Sequence, residues 1–200
     1  MRQALHLPNI TLATKITILR ILGVPVFILL LVYYTTNLAG GVEKDYQRVA
    51  ALVCFLLVAL TDALDGYIAR SRNQITRLGS ILDPIADKLL LVSALVLLTR
   101  PAIPALQPQF PIAFTLLAIS RDILIVAGSW VIHYMTGQVE ARPCWTGKVA
   151  TFLQMLSVTW VLAQGPQRPF MILVWLAGIF TFVSGVQYLL AGMRQFEHEH

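Results

Sequence analysis

Six apolar stretches, each close to the length that crosses a bilayer, run through this chain of 200 residues. A spanning helix needs about 20 mostly apolar residues. The candidates run from about Ile16 to Tyr34, Arg48 to Arg70, Ile81 to Leu98, Pro111 to Tyr134, Gly147 to Ala163 and Phe170 to Ala191. In hydrocarbon every backbone N–H and C=O must be paired within the protein, so such segments close as α-helices. The expected fold is all-α, a polytopic membrane protein with six transmembrane helices. Residues 1–13 mix apolar and polar positions and suggest a short N-terminal interfacial helix. No repeat, low-complexity tract or linker divides the chain, so residues 1–200 are expected to form a single transmembrane domain. The first apolar run outlasts a signal-peptide core and no Ala-x-Ala site follows promptly, so a cleavable signal is not expected.

Composition agrees. Hydrophobic residues make up 57% of the chain and charged residues 12%, where a soluble domain carries about 25% charged residues. The net charge of +5 suits work beside anionic headgroups of a lipid bilayer. The basic residues are scattered rather than clustered in one solvated domain, which argues against nucleic acid as a partner. With the N-terminus in the cytoplasm, that side holds Arg2, Lys15, Arg70, Arg72, Arg77, Arg142, Lys148 and Arg194. The other side holds Lys44, Arg48, Arg100 and Arg168, so the count is eight against four in favour of this orientation. The N-terminus has no transit-like character, and a bacterial plasma membrane is the expected location. Cys54 and Cys144 lack CxxC spacing and read as free thiols. The tail Glu197-His198-Glu199-His200 reads as a solvated end.

Against this background Asp62, Asp65, Asp83 and Asp87 stand out. Four of the ten acidic residues fall in one window of 26 residues. Each carboxylate at membrane depth costs roughly 3 kcal/mol by insertion scales unless it is paired or solvated. Four together also repel one another. Divalent cations relieve both problems, which points to a polynuclear metal site at the membrane surface. Carboxylates without His or Cys suit hard cations, Mg²⁺ or Mn²⁺. On a helix, Asp62, Asp65, Gly66 and Ala69 share an arc of roughly 100°, and Gly79, Asp83 and Asp87 share another face. Ser71 to Leu78 is polar and reads as the turn that lets the two faces meet. Two ions about 4 Å apart would clamp a phosphoanhydride, with Arg70, Arg72 and Arg77 available to further phosphate oxygens. Intramembrane acids also serve ion-coupled transporters, so a membrane transporter is the alternative from another class.

The spacing D-x2-D-G-x2-A-R-x8-G-x3-D-x3-D, filled at every fixed position from Asp62 to Asp87, resembles the signature of the CDP-alcohol phosphatidyltransferase family. The resemblance implies an enzyme that moves a phosphatidyl group from CDP-diacylglycerol to an alcohol and releases CMP. It implies that Asp62, Asp65, Asp83 and Asp87 hold two Mg²⁺ or Mn²⁺ ions, and that Gly66, Arg70, Gly79 and Ser80 contact the CDP moiety. Asp87 looks like the general base for the acceptor hydroxyl. In helix one, Thr17, Arg20 and Pro25 match a family pattern in which Thr14 stands where Asn is common. Arg20 would approach a nucleotide or lipid phosphate, or else snorkel to the interface. Homodimers are common in the family, and a homodimer is expected.

The acceptor is less constrained. Leu82-Asp83-Pro84-Ile85-Ala86-Asp87-Lys88 and Gly147-Lys148-x2-Thr151-x2-Gln154-Met155 are similar to phosphatidylglycerophosphate synthases, whose acceptor is glycerol 3-phosphate. An anionic acceptor needs cations, and Arg121 and Lys148 are the candidates. Asp122 beside Arg121 leaves a purely structural ion pair open. Ile119-Ser120-Arg121-Asp122 is similar instead to cardiolipin synthases, whose acceptor is phosphatidylglycerol, and that reaction stays as the alternative.

Overall fold

The computed structural model describes residues 12–42, 44–72, 77–100, 103, 106–136 and 145–197. Side chains are described for these except 12–21, 62–72, 77–87, 131–133, 135–136 and 194–197. Six α-helices account for almost all of it: α1 (Leu12–Ala39), α2 (Asp45–Arg72), α3 (Arg77–Leu98), α4 (Ile112–Thr136), α5 (Trp145–Leu162) and α6 (Gln167–Glu197). No strand occurs among the described residues. Each helix falls on one of the six stretches read from hydropathy and extends most of them by a few residues. The expected interfacial helix at residues 1–13 lies outside the described residues except for its last two, which belong to α1. Cys144 also lies outside them, and Cys54 is a free thiol.

The exterior is apolar, as lipid requires. Leu116, Ile123, Val126 and Trp130 project from α4, and Ile172, Trp175, Ile179 and Phe182 from α6, all exposed. Contiguous apolar surface on this scale is not left facing water by a soluble protein. Three stretches are long and apolar enough to cross a membrane: Leu22–Ala39, Ile112–Trp130 and Gln167–Met193, with Lys88–Leu98 a shorter apolar segment. Of the six expected spans, these three meet the test by length and composition among the described residues.

Where lipid is as apolar as the core, helices associate through close packing of small side chains. Ala51, Ala94, Ala118, Ala150 and Ala177 are all buried at such positions. At Gly23 a Cβ would stand 2.6 Å from Val58 Cγ2, so α1 and α2 approach this closely only because the side chain is missing. Pro25 lies inside α1, two residues further on. The helix α1 packs along α2 and α3, α6 packs along α5 and α4, and α5 touches α2 and α3 to join the two groups. Phe27 and Phe55 meet at 5.5 Å between ring centroids, and Phe110 stands between Phe114 at 5.6 Å and Phe170 at 5.1 Å.

One expectation about charge shifts. Arg48, counted above as a loop cation, lies in the first turn of α2 and is only 13% exposed at its side chain. Its Nη1 donates to the carbonyl of Leu162, the last residue of α5, at 2.7 Å. A helix C-terminus carries unpaired carbonyls and partial negative charge, so a cation is stabilised there. The bond also puts the start of α2 and the end of α5 at the same end of the bundle.

Candidate active site

The aspartates lie in regular helix, on either side of a short gap. Asp62 and Asp65 lie in α2, and Asp83 and Asp87 in α3. Residues 73–76, which lie outside the described residues, separate the two helices, and the helices touch. Asp62 lies ten residues before the end of α2 at Arg72, and Asp87 ten residues after the start of α3 at Arg77. At 1.5 Å rise per residue, both are about 15 Å along their helices from the gap. Asp65 and Asp83 lie seven and six residues from those same ends, about 10 Å away. Counted along the helices, the four acids are therefore spaced nearly symmetrically on either side of the gap. Their side chains, with those of Gly66, Arg70, Gly79, Ser80, Thr17 and Arg20, lie outside the described residues. The register suits the expected metal set, and every titratable donor from Asp62 to Asp87 is a carboxylate apart from Tyr67 and the basic residues. No cluster of metal-binding side chains occurs among the described residues.

The next residue along α3 is described. Lys88 Nζ donates to Asp122 Oδ1 on α4 at 2.7 Å. Arg121 Nη1 donates to the same oxygen at 2.8 Å. Arg121 Nη2 donates to Ser184 Oγ on α6, also at 2.8 Å. The guanidinium rests on the backbone of α5 at Gly147, where a Cβ would come within 2.5 Å of Nη2 and 3.0 Å of Ser184 Oγ. Only glycine leaves this seat open. Four helices, α3 to α6, thus converge on one arginine. The Arg121 side chain is 10% exposed and Asp122 13%, so the pair is withdrawn from solvent. Arg121 Nε is buried and has no partner among the described residues.

Of the two expected acceptor cations, Arg121 touches Gly147, and Lys148 is the next residue, exposed. The structure therefore brings the two together at the backbone level, at the start of α5. The adjacent ion pair between Arg121 and Asp122 that the sequence left open is formed. It involves one Nη and leaves Nε unpaired.

Lys88, Gly147 and Ser184 were not singled out as functional from sequence. Lys88 and Gly147 each sit beside a residue that was. Ser184 has a fainter signal. Thr181, Ser184 and Tyr188 follow at i, i+3 and i+7, a polar stripe on an apolar helix. Each member is used: Gln154 Nε2 donates to Thr181 Oγ1 at 2.9 Å, Ser184 receives Arg121, and the Tyr188 hydroxyl donates to the Ile125 carbonyl at 3.0 Å.

Comparison with known proteins bears on this arrangement. Residues 10–183 match the CDP-alcohol phosphatidyltransferase family. The chain is 33% identical over 195 residues to the CDP-diacylglycerol–glycerol-3-phosphate 3-phosphatidyltransferase of Bacillus subtilis, covering 92% of this chain and 93% of that one. It is 36% identical over 194 residues to the Pseudomonas fluorescens protein of the same name, covering 94% and 90%. A probable phosphatidylglycerophosphate synthase of Mycobacterium tuberculosis is 33% identical over 186 residues, covering 92% and 82%. With the signature complete and the likeness spanning nearly the whole chain, the protein belongs to the CDP-alcohol phosphatidyltransferase family and is a transferase.

Proposed function

We propose that this protein transfers the phosphatidyl group of CDP-diacylglycerol to glycerol 3-phosphate, forming phosphatidylglycerophosphate and releasing CMP. The observation that carries the choice of acceptor is Arg121, 10% exposed at its side chain and seated at Gly147 beside Lys148. Two cations side by side suit the doubly charged phosphomonoester of glycerol 3-phosphate better than the singly charged phosphodiester of phosphatidylglycerol. The names of the relatives support the same acceptor.

In this reading the acceptor hydroxyl oxygen attacks the β-phosphorus of the donor. A new P–O bond forms, the bond to the CMP oxygen breaks, and CMP leaves with the electron pair. Asp87 accepts the hydroxyl proton, which requires it ionised and within hydrogen-bond reach. Gly66, Arg70, Gly79 and Ser80 hold the CDP moiety, with Thr17 and Arg20 contributing from α1. Arg121 and Lys148 hold the acceptor phosphate, so the reactive hydroxyl is presented rather than merely captured. The carboxylates of Asp62, Asp65, Asp83 and Asp87 suit two Mg²⁺ or Mn²⁺ ions, which when bound supply charge stabilisation for the phosphoanhydride and the departing phosphate.

The remaining spans, α2, α3 and α5, cross the same membrane in this proposal. The site faces the cytoplasm of a plasma membrane, as the basic-residue count suggests, and the working unit is a homodimer. The test is an acceptor panel with purified enzyme in mixed micelles and CDP-diacylglycerol as donor. CMP release is expected with glycerol 3-phosphate and Mg²⁺ or Mn²⁺, and is lost with a chelator. Turnover with phosphatidylglycerol instead would move the assignment to cardiolipin synthesis. Cation or proton flux in liposomes without CMP release would move it to transport.

A further inference from the structure

The use of one oxygen by two cations sets Asp122 apart. Oδ1 of Asp122 receives both Lys88 Nζ at 2.7 Å and Arg121 Nη1 at 2.8 Å. The three groups sum to one surplus positive charge. On its outer flank the Lys88–Asp122 pair borders a groove lined by Ile123, Ile125, Val126 and Trp130, so its surroundings there are apolar. Arg121 meanwhile is gripped from two directions, by Asp122 at Nη1 and by Ser184 at Nη2, 2.8 Å each. That grip decides which N–H groups stay unpaired, and Nε is one of them.

We propose that Asp122 is a positioning residue for the acceptor, aiming the Arg121 guanidinium at an incoming phosphomonoester. Lys88 anchors the carboxylate from α3, so the aim is referenced to the helix that bears Asp87. A carboxylate that only bolted α4 to α3 would need Lys88 alone. By also engaging Arg121 it determines how the guanidinium is turned about its own axis above Gly147. Without it, Arg121 keeps its charge and its Ser184 contact but loses a defined orientation. The proposal rests on the reading that Arg121 meets the acceptor phosphate.

The experiment compares Asp122→Asn with Arg121→Gln in the full-length purified enzyme, measuring kcat and both KM values. D122N is expected to raise the KM for glycerol 3-phosphate about tenfold, with kcat within about threefold and the KM for CDP-diacylglycerol within about twofold. A purely structural bolt would lower kcat and thermal stability and leave both KM values alone, and that result overturns the proposal. If R121Q raises the acceptor KM while D122N does not, Asp122 is not the positioning group and the Arg121 reading stands. If R121Q leaves the acceptor KM unchanged, the Arg121 reading falls and this proposal with it. Should D122N prove too unstable to purify, the double variant K88M/D122N removes a cation together with its counter-charge. The same KM-against-kcat split is expected of it, and unchanged KM values overturn the proposal.

Discussion

Among the described residues two arginines are largely withdrawn from solvent, one beside each end of α5, and they are built differently. Arg48 and Arg121 are 13% and 10% exposed at their side chains, and each has an unpartnered Nε. Arg48 bonds a backbone carbonyl, Leu162 O, and an Asp45 that is 71% exposed. Its charge is satisfied by the end of a helix, and it has no charged neighbour from another element among the described residues. Arg121 bonds side chains only, from its own helix and α6, while sharing Asp122 with a lysine of α3 and resting on a glycine of α5. A cap needs one partner with many possible donors. A binding group needs several partners that fix its direction. Burial alone does not separate these two arginines, but the number of elements that hold each does, and on that difference the proposed roles rest.

Substitutions can break this contrast. The largest effect is expected at Asp87, the proposed general base. Asp87→Asn should reduce kcat by about 10³-fold while leaving the protein folded, because general-base catalysis contributes typically 10²–10⁴-fold. Near wild-type turnover would remove the base assignment and the reason for treating the Arg121 end as the reactive one. Next, Arg121→Ala should lower kcat/KM for glycerol 3-phosphate by roughly 30-fold or more, about 2 kcal/mol for a lost charge-assisted contact. Gly147→Ala should follow in the same direction by about fivefold, since its Cβ displaces a guanidinium held at both Nη atoms. Arg48→Ala should do the opposite: kcat/KM within about twofold, with stability lower by about 1–3 kcal/mol in a thermal melt, the cost of an unsatisfied buried carbonyl. An R48A enzyme that kept its melting temperature and lost acceptor affinity would invert the comparison.

Much of this was legible without coordinates. The six helices are where the apolar runs stand, three of them long and apolar enough to cross a membrane, because hydrocarbon leaves the backbone no alternative partner. The acidic signature was legible because carboxylates are so costly in such surroundings that their spacing stands out. The polar stripe Thr181, Ser184 and Tyr188 was also in plain sight, but nothing in the sequence says which helix it faces. Asp122 shows the limit most clearly. Adjacent to Arg121, it suggested a local ion pair, and the pair exists. Its second bond, to Lys88 on another helix 34 positions away, has no local signature.

Element identity, membrane class, family and the acidic register follow from the order of residues, since each depends on the periodicity of one segment or the spacing between two neighbours. The seat of Arg121 does not. It exists because α3, α4, α5 and α6 meet at one level, and that meeting is set by how small residues allow helices to approach. Side chains distant in sequence acquire a shared chemistry only when packing decides which faces touch, and that decision belongs to the tertiary structure.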